Sequence, residues 1–175
     1  MGDTLTFDAI SKGLHGVTAV TCQSYIGSAR ACLHKVGHKS PTLVTVTGIM
    51  ETTVKLEWEP VTPQLLNEND DYQDAAEFGA YAVAFAMANK LTKYTVVRRA
   101  RKNGGFDWFL GYESKAFQDA ARLEISGLLD ATEGRYNARV KEKLAQSDPS
   151  DKTRLPAYAS VTNFRGPKTC FQKKS

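Results

Sequence analysis

Three carboxylates occupy positions where their side chains can take part in metal chemistry. Glu77 is the only charged residue in the run 75–89, and Asp107 and Glu124 follow in segments that alternate like strands. Hard divalent cations such as Mg²⁺ or Mn²⁺ bind one or two carboxylates together with water and substrate phosphates. A cation held there would polarise a phosphodiester and activate water, so the three acids predict a hydrolytic metal site.

Strand geometry predicts where these acids point. Successive side chains of a strand lie on opposite faces, so Asp107 faces away from Trp108 and Glu124 faces away from Leu123. If the two strands are neighbours in register, Asp107 and Glu124 share a face and bind the metal. Glu77 lies in the first part of a buried helix and is expected to orient water or a second ion.

The same acids also have a purely structural interpretation. Glu77 can complement the positive end of its helix, an effect of about 0.3–1 kcal/mol. The strand acids can pair with Arg122 or Arg98. The metal site is favoured because burying an unpaired carboxylate costs on the order of several kcal/mol.

The elements that must position these acids are indicated by hydrophobic patterning. An alanine-rich segment without a polar face predicts a buried helix, and β-rich runs predict strands around it. The predicted order is helix, three strands, helix and strand: Asp71–Leu91, Thr95–Ala100, Phe106–Leu110, Ala121–Ser126, Thr132–Gln146 and Ala157–Phe164.

The N-terminal part predicts a separate layer. The first 20 residues are expected to form a loosely structured lead-in or a short strand. A helix is expected from Val17 to Val36, and a hairpin is expected from 43–49 and 54–58. Polar stretches predict loops at 62–70 and 147–154, and the tail at Lys173 and Lys174 is expected to fray.

The order of elements, with Glu77 on the first helix, Asp107 on the second strand and Glu124-Ile125-Ser126 on the third, resembles the PD-(D/E)xK restriction-endonuclease-like superfamily. The resemblance covers about residues 70–165. It implies an α/β (α+β) fold with a mixed four-stranded sheet flanked by helices, to which residues 1–61 add a helix and a β-hairpin. It also implies cleavage of DNA or RNA with Mg²⁺ or Mn²⁺, in which Asp107 and Glu124 hold the metal and Glu77 assists.

One position departs from this superfamily. Its lysine after the third-strand acid corresponds to Ser126, whose hydroxyl cannot supply a positive charge. Some members carry the basic residue on another element, and Lys141 or Arg135 on the following helix is expected to replace it here. The alternative is a catalytically degenerate scaffold that binds protein or nucleic acid.

Composition predicts one cytoplasmic domain spanning residues 1–175. The chain has no apolar run of about 18 residues and no signal peptide, so no membrane association is expected. Three cysteines favour reduced thiols over a disulfide framework. The chain leaves its oligomeric state open.

Local charge predicts a nucleic-acid contact, because four basic residues stand close together within a formal net charge of +4. A solvated charged face is the alternative interpretation. The four residues are Arg98, Arg99, Arg101 and Lys102, and Arg135, Arg139, Lys141 and Lys143 can flank the same face.

Two further groups of residues were considered as sites. Cys22, Cys32, His34 and His38 include zinc-type ligands but lack a CxxC pair, so ordinary helix packing is the better interpretation. Tyr94, Trp108, Phe109 and Tyr112 lie near the basic run, where they are expected either to stack on unpaired bases or to pack in the core.

Overall fold

The computed structural model describes residues 3–115, 118–146 and 152–175. Within these ranges no helix is both long and apolar enough to cross a bilayer. The elements in chain order are β1 (Thr4–Thr6), α1 (Asp8–Ser11), α2 (Ala19–Lys35), β2 (Thr42–Gly48), β3 (Thr52–Glu57), α3 (Pro63–Glu68), α4 (Tyr72–Leu91), β4 (Thr95–Arg99), β5 (Trp108–Gly111), β6 (Ala121–Leu128), α5 (Glu133–Gln146), β7 (Ala157–Asn163) and β8 (Lys168–Lys173).

The strands form one mixed sheet in the order β1-β3-β2-β8-β7-β6-β5-β4. The four strands predicted for the core are all present at one end, where β4, β5 and β6 pair antiparallel and β6 pairs parallel with β7. The predicted sheet size of four strands was wrong, because the described sheet has eight. The predicted hairpin, β2 and β3, is confirmed, and it continues the same sheet.

Strand β8 was not predicted, and it joins the hairpin strand β2 to the core strand β7. No element was predicted for residues 168–172, and only the last residue of this strand, Lys173, was expected to fray. Strand β8 pairs antiparallel with β7 and parallel with β2. Thr169, Cys170 and Phe171 are buried in it. A short strand with lysines at both ends has little local pattern, because its stability comes from partners supplied by distant parts of the chain.

The N-terminal helix is confirmed as α2. The first 20 residues contain the short strand that was one of the two expectations for them, β1, together with the unpredicted short helix α1. The predicted loop 62–70 contains α3, which begins with the Thr62 hydroxyl accepting a hydrogen bond from the Leu65 N–H at 3.2 Å. Pro63 occupies the first turn, so a cap followed by proline was a local signal for this helix.

Helix α4 is buried between α2 and the sheet, as its composition predicts. Two small residues allow this close packing. A Cβ added to Gly79 would lie 2.8 Å from Ala29 Cα in α2, and one added to Gly127 in β6 would lie 1.8 Å from the Ala76 carbonyl oxygen in α4. The helix therefore contacts backbone on two sides, which explains why it lacks a polar face.

Helix α5 covers the opposite face of the sheet near β6 and β7. Its buried Tyr136 packs with Leu128 and Val161, and the Tyr136 hydroxyl donates to the Val161 carbonyl oxygen at 3.2 Å. Residues of β6 therefore alternate between α4 and α5. Both faces of this strand are covered, which buries Glu124 on the α5 side.

Candidate functional site

Asp107 and Glu124 are brought together where β5 and β6 meet the turn that follows β4. Trp108 lies opposite Leu123 in the antiparallel ladder, and the Asp107 N–H continues that ladder to the Leu123 carbonyl oxygen at 3.0 Å. Both carboxylates line one cavity, whose volume is about 500 Å³. The structure thus supplies the neighbouring strands on which the predicted metal pair depends.

Glu124 is a buried carboxylate with a cationic partner. Its residue is only 2% exposed, and the Lys143 ammonium lies 2.7 Å from Glu124 Oε1. The same ammonium donates to Gln146 Oε1 at 2.8 Å. Burial, followed by repulsion from Asp107, raises the pKa of Glu124 to about 7, and the attraction of Lys143 opposes this rise only in part.

Asp107 is partly exposed and has a backbone role. Its Oδ2 accepts the Ile125 N–H at 2.9 Å, so the side chain completes a backbone hydrogen bond just beyond the end of β5. Its Oδ1 lies 3.8 Å from the Arg99 guanidinium and 3.5 Å from the Tyr81 hydroxyl. Burial, and then the charge of Asp107, raise the pKa of Tyr81, so this phenol remains neutral.

The cavity joins these acids to positive charge. Arg99 lines it beside Asp107, and the exposed Arg101 and Lys102 line it from the turn between β4 and β5. Within the described ranges neither Arg101 nor Lys102 forms an ion pair. A phosphate that enters the cavity would therefore meet cations as well as the two carboxylates.

The basic run does not present one uniform surface. Arg98 is held by Asp119, whose carboxylate lies 2.5 Å from the guanidinium, and it stacks 3.7 Å above the Phe109 ring centre. Arg99 points to the other side of β4, where its guanidinium lies 4.9 Å from the Trp108 ring centre. All four residues are exposed, but Arg101 and Lys102 project from the turn without an ion pair among the described residues, whereas Arg98 and Arg99 each lie beside a carboxylate.

Glu77 stands apart from the two strand acids. It lies exposed on α4, one helical turn before Tyr81. In the described ranges no three acidic, histidine or cysteine side chains are grouped closely enough to hold one metal ion. Glu77 is also absent from the residues that line the cavity shared by Asp107 and Glu124.

The cation beside Glu124 is Lys143, which the sequence indicated only as one of several flanking basic residues and not as the replacement for the missing lysine. Lys141 and Arg135 occupy exposed positions of α5, whereas Lys143 faces the sheet. Tyr136, Val140 and Lys143 are spaced by four and three residues, which places them on one helical stripe. That spacing was available in the sequence, and Tyr136 and Val140 do pack on the sheet.

Among the contacts of the described residues, the arginine beside Asp107 is Arg99 and the cation beside Glu124 is Lys143, rather than the predicted Arg98 or Arg122. Arg98 binds Asp119, and the Arg122 guanidinium donates two hydrogen bonds to the Leu155 carbonyl oxygen, at 2.7 and 3.1 Å. Ser126 is buried on the same face of β6 as Glu124, but it adds no charge there.

The cysteine and histidine residues do not assemble into a second site in the described ranges. Burial raises the pKa of Cys32 to about 12, which leaves this thiol protonated and poorly nucleophilic. The His38 ring nitrogen Nε2 lies 3.0 and 2.9 Å from the carbonyl oxygens of Phe164 and Arg165, so it ties the end of α2 to the sheet.

The aromatic residues near the basic run have different environments. Trp108 is 4% exposed and belongs to the core, and Tyr94 packs against Tyr112. Phe109 is only half-buried, and it lines a cavity. Of the four aromatics, Phe109 is therefore the one placed to contact a ligand beside the acids.

No known protein family, curated protein or solved structure matches this chain.

Proposed function

We propose that the protein is a divalent-metal-dependent nuclease with a restriction-endonuclease-like core, which hydrolyses phosphodiesters in nucleic acid. The observation that carries this proposal is the convergence of Asp107 and Glu124 in one cavity with Arg99, Arg101 and Lys102. Carboxylates attract a divalent cation and the basic residues attract a polyanion, so the cavity has the two affinities that a nuclease requires.

The donor set fits Mg²⁺ or Mn²⁺. The two carboxylates repel each other, and this repulsion adds to the larger effect of burial in raising the pKa of Glu124. A small hard cation needs only one or two such ligands when water and phosphate complete its shell. Asp107 and Glu124 would hold the ion, which would supply Lewis acidity and a more acidic water.

We assign to Lys143 the role that the superfamily resemblance gives to a lysine two residues after Glu124. Its ammonium lies 2.7 Å from Glu124, and only 13% of its side chain is exposed. A positive charge held this firmly next to the acids can stabilise charge that develops on a phosphodiester without first reorganising. Helix α5 thus provides the group that Ser126 cannot provide.

The arrangement of elements supports the same proposal. α4, β4, β5, β6, α5 and β7 follow the order helix, three strands, helix and strand. The acids lie where β5 and β6 adjoin, and the two helices cover opposite faces of β6. A restriction-endonuclease-like core with extra strands β1, β2, β3 and β8 would account for this topology.

A non-catalytic scaffold is the second candidate. Ser126 at the position of the superfamily's lysine favours it, and so does the ion pair that already occupies one oxygen of Glu124. In that case the role of Asp107 is to accept the hydrogen bond from the Ile125 N–H, and the role of Lys143 is to neutralise the buried Glu124. The exposed Arg101 and Lys102 would then bind nucleic acid or an acidic protein surface.

A cleavage assay separates the two candidates. Labelled single- and double-stranded DNA and RNA are incubated with Mg²⁺ or Mn²⁺ and either the wild type, Asp107→Asn or Glu124→Gln. The nuclease proposal expects cleavage by the wild type and its loss in both variants. Glu142→Gln is the matched control, since this exposed acid on α5 pairs only with Arg139 among the described residues.

Absence of cleavage in every substrate and either ion would reject the nuclease and favour the scaffold. Cleavage that persists in both Asp107→Asn and Glu124→Gln would also reject the assignment of these acids. Circular dichroism and urea unfolding of each variant show whether a loss of activity arises from the site or from unfolding.

A further inference from the structure

A second cavity adjoins the one that contains Asp107 and Glu124. Its volume is also about 500 Å³, within the range typical of small-molecule pockets. The two cavities share the wall formed by the turn after β4, including Ala100, Arg101 and Phe106. A ligand can therefore occupy both cavities by passing around this turn.

The second cavity is lined by an aromatic pair. The ring centres of Phe106 and Phe109 lie 4.7 Å apart, and their planes meet at 89°. Both residues are half-buried, in contrast to the buried Trp108 between them. Part of each ring therefore remains accessible from the cavity, and accessible aromatic rings are the surfaces on which unpaired bases stack.

The charges around this pair favour an anionic ligand. The Arg98 guanidinium covers one face of the Phe109 ring and is fixed by its ion pair with Asp119. Arg101 and the exposed Lys152 also line the cavity. A base stacked on one ring of this perpendicular pair would meet the edge of the other, and it would have cations beside it to meet the phosphates on either side.

We propose that Phe106 and Phe109 form a subsite for one unpaired nucleobase, which makes single-stranded nucleic acid the substrate class of the proposed nuclease. This inference rests on the proposed function, because the carboxylate cavity is where the phosphate would be cut. A nucleotide whose phosphate enters that cavity extends its base around the shared turn to the aromatic pair.

A fully paired duplex does not meet this requirement. Its bases are stacked on their neighbours and must leave the helix before they can contact a separate aromatic surface, at a cost of unstacking and unpairing. A single strand exposes its bases already. The carboxylate cavity would hold the phosphate and the neighbouring aromatic cavity would hold the base. This pair of cavities therefore selects unpaired nucleotides without any base-specific hydrogen bond.

Binding without cleavage tests the subsite directly. Fluorescence anisotropy in EDTA compares single-stranded DNA and RNA with the matching duplexes, for the wild type, Phe106→Leu and Phe109→Leu. Leucine retains apolar volume but loses the flat ring. We expect both variants to bind single strands about five- to a hundredfold more weakly, with duplex binding within about twofold of wild type.

Phe78→Leu is the matched control. Phe78 is 43% exposed on α4, on the other side of the sheet, so this variant should retain the wild-type preference for single strands. The proposal is overturned if the wild type binds duplex and single strand equally, or if both leucine variants keep the wild-type preference. Urea unfolding of the variants verifies that the fold is retained, and the DNA and RNA arms identify the sugar that the subsite accepts.

Failure of the subsite is distinguishable from failure of the nuclease. If duplex is cleaved as fast as single strands and Asp107→Asn abolishes that cleavage, the nuclease stands and the subsite is rejected. If no substrate is cleaved but binding of single strands still depends on Phe106 and Phe109, the nuclease is rejected and the base-binding role is supported.

Discussion

The ammonium of Lys143 lies 2.7 Å from the buried carboxylate of Glu124, although the two residues are 19 positions apart in the chain. One comes from the last turns of α5 and the other from the middle of β6. This contact links the helix to the strand that carries the candidate metal ligand. Its loss should affect stability and the proposed activity together.

Replacing Lys143 with methionine should destabilise the protein by about 3–5 kcal/mol at pH 8, because Glu124 then remains buried without its cationic partner. The loss should be smaller at pH 5, where Glu124 is protonated. Urea unfolding at both pH values measures the difference. Lys141→Met, at an exposed position two residues away, is the control and should change stability by no more than about 0.5 kcal/mol. Equal losses at pH 5 and pH 8 would contradict the ion pair as the cause.

Glu124 should make stability depend on pH. Its pKa is raised from an ordinary 4.5 to about 7, so the folded protein binds this proton more tightly than the unfolded chain does. The stabilisation that comes from this tighter proton binding is therefore fully present below about pH 4.5, and it is lost as the pH rises through about 7.

The comparison of wild type with Glu124→Gln isolates that contribution. Between pH 4.5 and pH 8 the free energy of unfolding of the wild type should fall relative to the variant, by an amount on the order of a few kcal/mol. The glutamine cannot ionise, so other titrating groups cancel in the difference. Parallel stability curves for the two proteins would show that Glu124 has an ordinary pKa.

Mg²⁺ or Mn²⁺ should raise the thermal unfolding temperature if Asp107 and Glu124 bind it. At a concentration ten times the dissociation constant the gain is about 1.4 kcal/mol. The shift should be larger at pH 8 than at pH 6, because protons compete with the ion for Glu124. Differential scanning fluorimetry measures this rise in unfolding temperature. The Asp107→Asn variant should show no rise, whereas Glu142→Gln should show the same rise as the wild type. A shift that is the same in the Asp107 variant would place the ion elsewhere.

Gly127→Ala should destabilise the protein by about 3 kcal/mol or more. The new methyl group would lie 1.8 Å from the Ala76 carbonyl oxygen, so α4 would have to move away from β6. Gly134→Ala in α5 is the contrasting control, since nothing lies within 4 Å of the added Cβ. It should stabilise the protein by up to about 1 kcal/mol through helix propensity. Denaturant unfolding of both variants tests whether α4 packs this closely.

Much of the fold was accessible from local patterning. The helix α4 was predicted because a long alanine-rich run without a polar face indicates a buried helix, and β4, β5, β6 and β7 were predicted from short β-rich runs. Strand β8 was missed because it is short and flanked by lysines, and only its pairing with β2 and β7 makes it a strand. The sheet therefore proved to be larger than the local signals indicated.

The candidate site shows the same division. Asp107 and Glu124 could be singled out because carboxylates inside strands are expensive to bury. Alternation predicted that they share a face if their strands are neighbours in register, and the structure supplied that register. The choice of Lys143 over Lys141 depended on which stripe of α5 faces the sheet. The pairing of Arg98 with Asp119 depended on a loop whose course has no periodic signal.

By itself the sequence determined the main helices and strands, the basic run and the identity of the two acids, because each depends on residue type and short-range spacing. The tertiary structure decided which cation neutralises Glu124, that Asp107 completes a backbone hydrogen bond to Ile125, and that an aromatic cavity adjoins the acids. Those relationships arise from contacts between residues distant in the chain. Such contacts are selected by the packing of the whole sheet against its two helices and are not encoded in any single segment.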